Sequence, residues 1–296
     1  MTRYGILNLN KPVGMTSRRA VDCVQKLARR LKAGHAGTLD PLASGVLVVC
    51  VGAATRLIEH VQRMPKSYRA IFLLGRQSPT EDVDGEVVAL ADPPVPSGEE
   101  IAAAAARLTG TIEQRPPAYS ALKIDGERAY ARARRGESLE MKPRTVHVYR
   151  LDVLDYQYPR LELAVECGAG TYVRSLGRDL AQSLGTAAVL ERLVRTTVGE
   201  FRIEAGIDPR RLYPHNWTAH LLPARMAVSD LPAIALSGAE LAEVGHGRTI
   251  HRPEASYERV AGLDPTGELA CVLIPTGGGR LRPELNLPPP APPEHA

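Results

Sequence analysis

Short apolar runs bounded by Gly- and Pro-rich turns alternate along the chain with stretches of helical period. Residues 4–10 (Tyr-Gly-Ile-Leu-Asn-Leu-Asn) read as a strand that stops at the turn Lys11-Pro12-Val13-Gly14. Thr16-Ser17 then offers an N-cap, and Ala20, Val21, Val24, Leu27, Ala28 and Leu31 recur at helical spacing, which predicts an amphipathic helix over about 18–31. The run 46–51 is a buried strand, followed by a short helix to about residue 61 and a strand over 66–75. Ser97 caps an alanine-rich helix over 99–108, and 127–135 is a basic helical piece. Residues 145–154 and 161–167 alternate well enough to be neighbouring antiparallel strands joined through Tyr158-Pro159, and 168–176 carries the chain from a strand end into a helix.

Beyond residue 210 the pattern weakens. Residues 211–232 are irregular, hold the single tryptophan, Trp217, and are expected to connect two units. Residues 233–285 form a small β-rich unit, with strands expected at 236–238, 260–263, 269–274 and 277–282. The proline-rich stretch 286–296 is expected to be a disordered tail.

A chain of 296 residues is long enough for one large domain and one small one. Net charge is only +4, but its distribution is uneven: residues 18–32 hold six basic residues and one acidic, 123–144 hold seven basic and four acidic, and 81–100 hold seven acidic and none basic. Charge runs usually form solvated faces, yet two separate basic segments suit a polyanion bound across a cleft. Cys23, Cys50, Cys167 and Cys271 are scattered without a Cys-x-x-Cys pair, and three lie in apolar surroundings, as expected for buried free thiols in a reducing compartment. The eight histidines form no zinc set, and there is no phosphate-binding loop, dinucleotide fingerprint or nucleophile elbow, so neither metal nor nucleotide cofactor is expected. No N-terminal signal and no apolar run of the roughly 20 residues that span a bilayer are visible, which leaves no membrane partner and the cytoplasm as the expectation.

Candidate chemistry concentrates in Gly34-His35-Ala36-Gly37-Thr38-Leu39-Asp40-Pro41-Leu42-Ala43-Ser44-Gly45, where one carboxylate and one imidazole sit among three glycines and a proline, directly ahead of the 46–51 strand. Such a loop can hold a side chain still at the edge of a core. Asp followed by Pro is equally a common helix start, with Asp as N-cap and Pro at the first helical position, and a lone His35 is as readily structural as reactive.

This stretch closely resembles the active-site loop of the bacterial TruB group, the tRNA pseudouridine-55 synthases, whose essential aspartate maps onto Asp40. The family usually has Thr where this chain has Ala36. Further matches follow in the family's order: residues 11–17, 66–68, 80–86, 115–132, 168–176 and 189–199. The resemblance implies an α+β fold, with a mixed, largely antiparallel central sheet and flanking helices over 1–210, and, more loosely, a PUA-like RNA-binding domain over 233–285. An insertion over about 117–145 is expected to close over RNA and to be mobile before it binds.

The same resemblance maps a base-stacking tyrosine onto Tyr68, a second tyrosine that packs on the base and helps remove a proton onto Tyr172, the arginine that pairs with the catalytic aspartate onto Arg174, and a pocket leucine onto Leu193. Lys11 is expected to support the site and His35 to occupy or support the space left by a flipped base, whereas the acidic stretch 80–86 is expected to lie on a loop and strand edge with no catalytic role. The implied partner is tRNA at its T-stem and T-loop, bound by a monomer, and the implied reaction converts uridine 55 to pseudouridine, with Asp40 attacking C1′ or C6 or abstracting a sugar proton. The alternatives are a non-catalytic tRNA-binding or folding factor, and the same chemistry on another uridine or RNA.

Overall fold

The structure is a computed structural model and describes residues 4–120, 122–124, 127–135, 137, 141–253 and 257–288. Among these, nine strands form one central sheet: β1 (Gly5–Lys11), β2 (Ala33–His35), β3 (Ser44–Val51), β4 (Lys66–Leu74), β5 (Gly110–Gln114), β6 (Arg144–Gln157), β7 (Arg160–Cys167), β8 (Ala188–Val198) and β9 (Phe201–Arg202). Their spatial order is β1-β3-β8-β4-β7-β6-β5, with β2 on β3 and β9 on β8. Every pairing is antiparallel except β3 with β8, where Val194 lies opposite Ser44 and Arg195 opposite Gly45. The fold is therefore the expected α+β arrangement with a mixed, largely antiparallel sheet.

Alternation along the strands sorts side chains onto the two faces. Leu7, Leu9, Leu47 and Val49 join one buried cluster, with Val21 and Val24 of α1 (Ser17–Ala28), Ile101 of α2 (Gly98–Arg107) and Leu176 and Leu180 of α3 (Val173–Ser183). Ile6, Val46, Val48 and Cys50 join a second cluster on the opposite face, shared with Phe201, Ala227 and residues of the C-terminal sheet. At roughly 1.5–3 kcal/mol for each fully buried large aliphatic side chain, these two clusters supply the main driving force for the fold. Cys50, Cys167 and Cys271 are buried and all four cysteines are free thiols.

Local rules place the helix ends. Thr16 caps α1 by accepting from the Arg19 N–H at 3.1 Å, and Ser97 with Glu100 forms a capping box on α2. The helix predicted to reach residue 31 stops at Ala28, because Arg29 turns out of it at φ 52 and the Gln25 side chain binds the Arg29 and Leu31 carbonyls and the Ala33 N–H. β5 has no counterpart in the sequence pattern, being mostly polar (Gly-Thr-Ile-Glu-Gln) with only Thr111 and Glu113 exposed.

The C-terminal sheet has five strands: β10 (Ala233–Ala235), β11 (Ile250–His251), β12 (Val260–Leu263), β13 (Leu269–Gly277) and β14 (Arg280–Asn286), in the order β10-β12-β13-β14-β11. Two expectations are corrected. Residues 236–238 are not a strand, since Ser237 and Glu240 form a capping box that opens α4 (Gly238–Gly245). The proposed tail does not begin at residue 286: Asn286 pairs with Cys271, the Leu287 N–H donates to the Ala270 carbonyl at 2.7 Å, and Tyr4 donates to the Pro288 carbonyl at 2.7 Å. Residues 289–296 lie outside the described residues, as do 121, 125–126, 136 and 138–140 of the expected insertion. The irregular segment after residue 210 is not a loose tether, because Trp217 is buried in the first cluster and the Leu222 and Ile6 backbones pair reciprocally at 2.8 and 3.0 Å.

Gly177 marks where α3 crosses the sheet, and a Cβ there would fall 2.1 Å from the Phe72 ring. Gly177→Ala gains about 1 kcal/mol of helix propensity but overpacks a buried ring at a cost of about 1–3 kcal/mol. The second effect dominates, so thermal unfolding should show a midpoint several degrees lower; a raised midpoint would mean that the helix and sheet are not in contact here.

Candidate active site

Asp40 stands in the loop between β2 and β3, whose backbone is held on every side. Ser17 Oγ donates to the Leu39 carbonyl at 2.8 Å and accepts from the Leu39 N–H at 2.8 Å, and the Gly14 N–H reaches the Pro41 carbonyl at 2.8 Å. Arg195, a 2 % exposed arginine within β8, donates through Nη2 to the Gly37 carbonyl at 3.1 Å and through Nε to the Val46 carbonyl at 2.7 Å. Gly45 permits the approach of β3 to β8: its φ is +103, and a Cβ would fall 2.2 Å from the Arg195 carbonyl oxygen. No helix follows Asp40, so the capping alternative is not the one adopted.

Arg174, in the first turn of α3, faces Asp40 with Nη2 3.0 Å from Oδ2. The guanidinium is enclosed from the other side: Nη2 also donates to the Tyr119 carbonyl at 2.9 Å, while Nη1 lies 3.2 Å from Asp82 Oδ2 and 2.8 Å from the Thr80 carbonyl. The Arg174 side chain is 6 % exposed and that of Asp40 is 40 %, so an exposed carboxylate is backed by a buried cation whose two terminal nitrogens are both engaged. Asp82, within the 80–86 stretch expected to lie on a loop and strand edge, belongs to this ion-pair network through Arg174.

Asp40 opens onto a cavity of about 560 Å³ whose wall includes Tyr68, Tyr172, Leu193, Arg144 and Arg174, a volume suited to a small ligand or a single nucleotide. Tyr68 lies opposite Arg195 across β4 and β8. Burial raises the pKa of its phenol, and the Arg195 guanidinium, which hydrogen-bonds it, opposes that shift. Tyr172 is the N-cap of α3, and its backbone is clamped by buried Gln114, which accepts from its N–H at 2.8 Å and donates to its carbonyl at 3.1 Å. The Arg144 guanidinium stands 4.8 Å over the Tyr172 ring. His35 ends β2 opposite Val49 and is not among the residues lining the cavity. Lys11 is fully buried at the end of β1, with Nζ donating to the Pro12 and Met15 carbonyls at 3.0 and 2.7 Å. Ala36 is buried in the cavity wall.

Sequence reasoning gave no role to Arg195, Asp82, Lys66 or Gln114. Arg195 carried at most a weak signal, as one of three charged residues in the mixed stretch Val189–Val198. Asp82 and Gln114 carried none, because their partners are distant in the chain, whereas Lys66 is held by the nearby Gln62 and Met64 carbonyls. Among the described residues, no group of three or more His, Cys, Asp or Glu side chains is placed to hold a metal ion, and no helix is long and apolar enough to cross a membrane.

Residues 25–173 match the model of the TruB family pseudouridylate synthase N-terminal domain. The tRNA pseudouridine synthase B of Xanthomonas campestris pv. campestris strain B100 is 38 % identical over 296 residues, covering 95 % of this chain and 93 % of that one. The Symbiobacterium thermophilum protein of the same name is 44 % identical over 246 residues, covering 82 % of each. Among solved structures, a chain of a Cbf5–Nop10–Gar1 complex superposes with a TM-score of 0.72 at 28 % identity, over 94 % of this chain and 80 % of that one. A chain of an H/ACA RNP bound to a substrate RNA containing 2′-deoxyuridine gives a TM-score of 0.74 at 26 % identity, over 96 % and 85 %.

Burial lowers the pKa of both Lys11 and Lys66 from 10.5 to about 8, with Arg195 adding to the shift and, for Lys11, Asp40 opposing it. Between pH 8 and 10.5 the unfolded chain therefore binds more protons than the folded one, so these lysines make the folded state relatively more stable as pH rises through that window. Below pH 8 both states are protonated and the burial penalty is constant. In protein labelled at lysine Cε, NMR titration should show two midpoints near pH 8, assigned through Lys11→Arg and Lys66→Arg; midpoints all above about 10 would contradict this environment.

Proposed function

As this chain belongs to the TruB family of pseudouridylate synthases, we propose that it isomerises uridine 55 in the T-loop of tRNA to pseudouridine, with Asp40 as the catalytic carboxylate. The observation that carries the reading is the pairing of a half-exposed Asp40 with buried Arg174 at the edge of a cavity walled by Tyr68, Tyr172 and Leu193. The isomerisation breaks the C1′–N1 bond, turns the uracil and forms a C1′–C5 bond, while C5 loses a proton and N1 gains one. Atoms are conserved, and no electron acceptor or nucleotide is consumed.

A carboxylate recessed beside a cavity cannot reach a base inside a folded loop. The target is therefore flipped out, at a cost of about a few kcal/mol in lost stacking and pairing. Tyr68 and Tyr172 offer aromatic surfaces and Leu193 an apolar wall for the extruded uracil. His35 supports the space the base vacates. With Oδ2 engaged by Arg174, the other oxygen of Asp40 is left for the sugar–base unit, where it acts as nucleophile or base. Rigid support matters here, because misplacement of a reacting group by about 1 Å can cost roughly 10²-fold in rate.

Cations outside the cavity suit a polyanionic partner. Arg18, Arg19, Lys26, Arg29, Arg30 and Lys32 are all exposed on α1 and the turn after it, beside the Asp40 loop that Ser17 holds. The reading carries further parts: the T-stem and T-loop as the bound region, residues 233–285 as a PUA-like RNA-binding unit after a connector at 211–232, and a monomer acting in the cytoplasm.

Asp40→Asn keeps the shape and size of the side chain but removes its charge. It should lower pseudouridine formation by roughly 10³-fold or more while tRNA affinity stays within about threefold. Turnover close to that of the unmodified protein would remove Asp40 from the catalytic role.

A further inference from the structure

A second ion pair lies behind the first. Glu81 and Asp82 are neighbours in sequence, and Arg174 and Arg178 are one turn apart on α3. Asp82 pairs with Arg174, and Glu81 pairs with Arg178 Nη1 and accepts from Ser175 Oγ at 3.1 Å. Adjacent residues in extended backbone point to opposite sides. Here both reach the same helix because Glu81 adopts φ +61, a conformation that a non-glycine residue rarely occupies and that surrounding contacts must impose. The Glu81 backbone is tied to β8, its carbonyl accepting from the Leu190 N–H at 2.9 Å while the Val83 N–H donates to the Leu190 carbonyl at 3.0 Å.

The same two arginines grip the root of the 117–145 insertion. Arg178 Nη2 donates to the Arg115 carbonyl at 2.7 Å, and Arg174 Nη2 donates to the Tyr119 carbonyl at 2.9 Å. Between those carbonyls lie Pro116 and Pro117, whose fixed φ angles make the link short and stiff. A displacement of the insertion root therefore pulls on both guanidinium groups, one of which holds Asp40 through the same nitrogen that holds Tyr119.

We propose that Glu81 and Arg178 form a positioning pair that locks Arg174, and through it Asp40, to the backbone at Arg115 and Tyr119, so that the carboxylate is held in its reactive geometry. This rests on the reading of the site as a pseudouridine synthase. Neither residue touches the substrate. Their effect belongs to the chemical step after binding, not to affinity. Asp179 supplies an internal control, because it meets Arg178 through Nε at 2.9 Å and Nη2 at 2.8 Å from within the same helix, and its contacts among the described residues include neither Glu81 nor residues 117–145.

The test is single-turnover pseudouridine formation with enzyme in excess over unmodified tRNA transcript, for the unmodified protein and for Glu81→Gln, Arg178→Gln, the double variant and Asp179→Asn. The expected result is a drop of roughly 10- to 100-fold in the saturating rate for Glu81→Gln and Arg178→Gln, with the double variant no slower than either. Affinity for tRNA should stay within about twofold, Asp179→Asn should react at nearly the unmodified rate, and Arg178→Lys should recover only part of the loss, having one nitrogen for three partners. An unchanged rate, a loss that tracks weakened binding, or an equal loss in Asp179→Asn would overturn the proposal. Absence of product with the unmodified protein would instead defeat the functional reading on which it rests.

Discussion

A guanidinium taken out of water must be neutralised and have its donors filled, and the catalytic half of this chain is arranged around meeting that requirement for Arg174. Its two terminal nitrogens are met by two carboxylates and two backbone carbonyls, drawn from the β2–β3 loop, the segment after β4 and the root of the insertion. Of the two carboxylates, Asp82 is as buried as the arginine and Asp40 is not. One partner thus completes the buried charge, while the other is oriented by it and still meets solvent. Removing Asp82 would leave the buried guanidinium with only the solvent-exposed Asp40 as counter-charge, which ties the holding of Asp40 to the surrounding fold.

Arg195 solves a second problem of the same kind from the opposite side. Its burial within β8 is tolerated because Gly37 of the β2–β3 loop and Val46 of β3 turn their carbonyls inward, and the loop is held because the Gly37 carbonyl has found a donor. Sheet topology makes this possible. The parallel pairing of β3 with β8 sets Arg195 against Gly45, where the absence of a side chain lets the two backbones close. Residues far apart in sequence thereby fix a loop that local turn chemistry alone would leave to several conformations.

Features with a short-range cause were legible in the chain. The strand and helix periods, the Thr16 and Ser97 caps and the Asp40 loop all announced themselves within a few residues, and motif resemblance marked Tyr68, Tyr172, Arg174 and Leu193 as residues of one site; all four meet in the same cavity wall. What the sequence did not disclose depends on distant partners. Asp82 looked like one more charge on an acidic surface, Gln114 like a polar residue between Glu113 and Arg115, and Leu287 like part of a proline-rich tail, until the fold gave each a distant partner. Ser237 was a misreading of local chemistry: its Ser-x-x-Glu spacing was visible and specified a helix start.

The C-terminal sheet is joined to the catalytic half through a continuous core, since Ala261, Leu269, Val272 and Leu287 pack with Val46, Val48 and Cys50 behind the Asp40 loop. The loop is therefore supported from both faces of the central sheet, which fixes the orientation of the Asp40 carboxylate. The most direct measurement of this account is product mapping: unmodified tRNA transcript incubated with the purified protein, and pseudouridine located by chemical adduct and primer extension. A single stop at position 55 is predicted. Tight tRNA binding with no product would contradict the enzymatic claim, and product only at another uridine would contradict the substrate assignment.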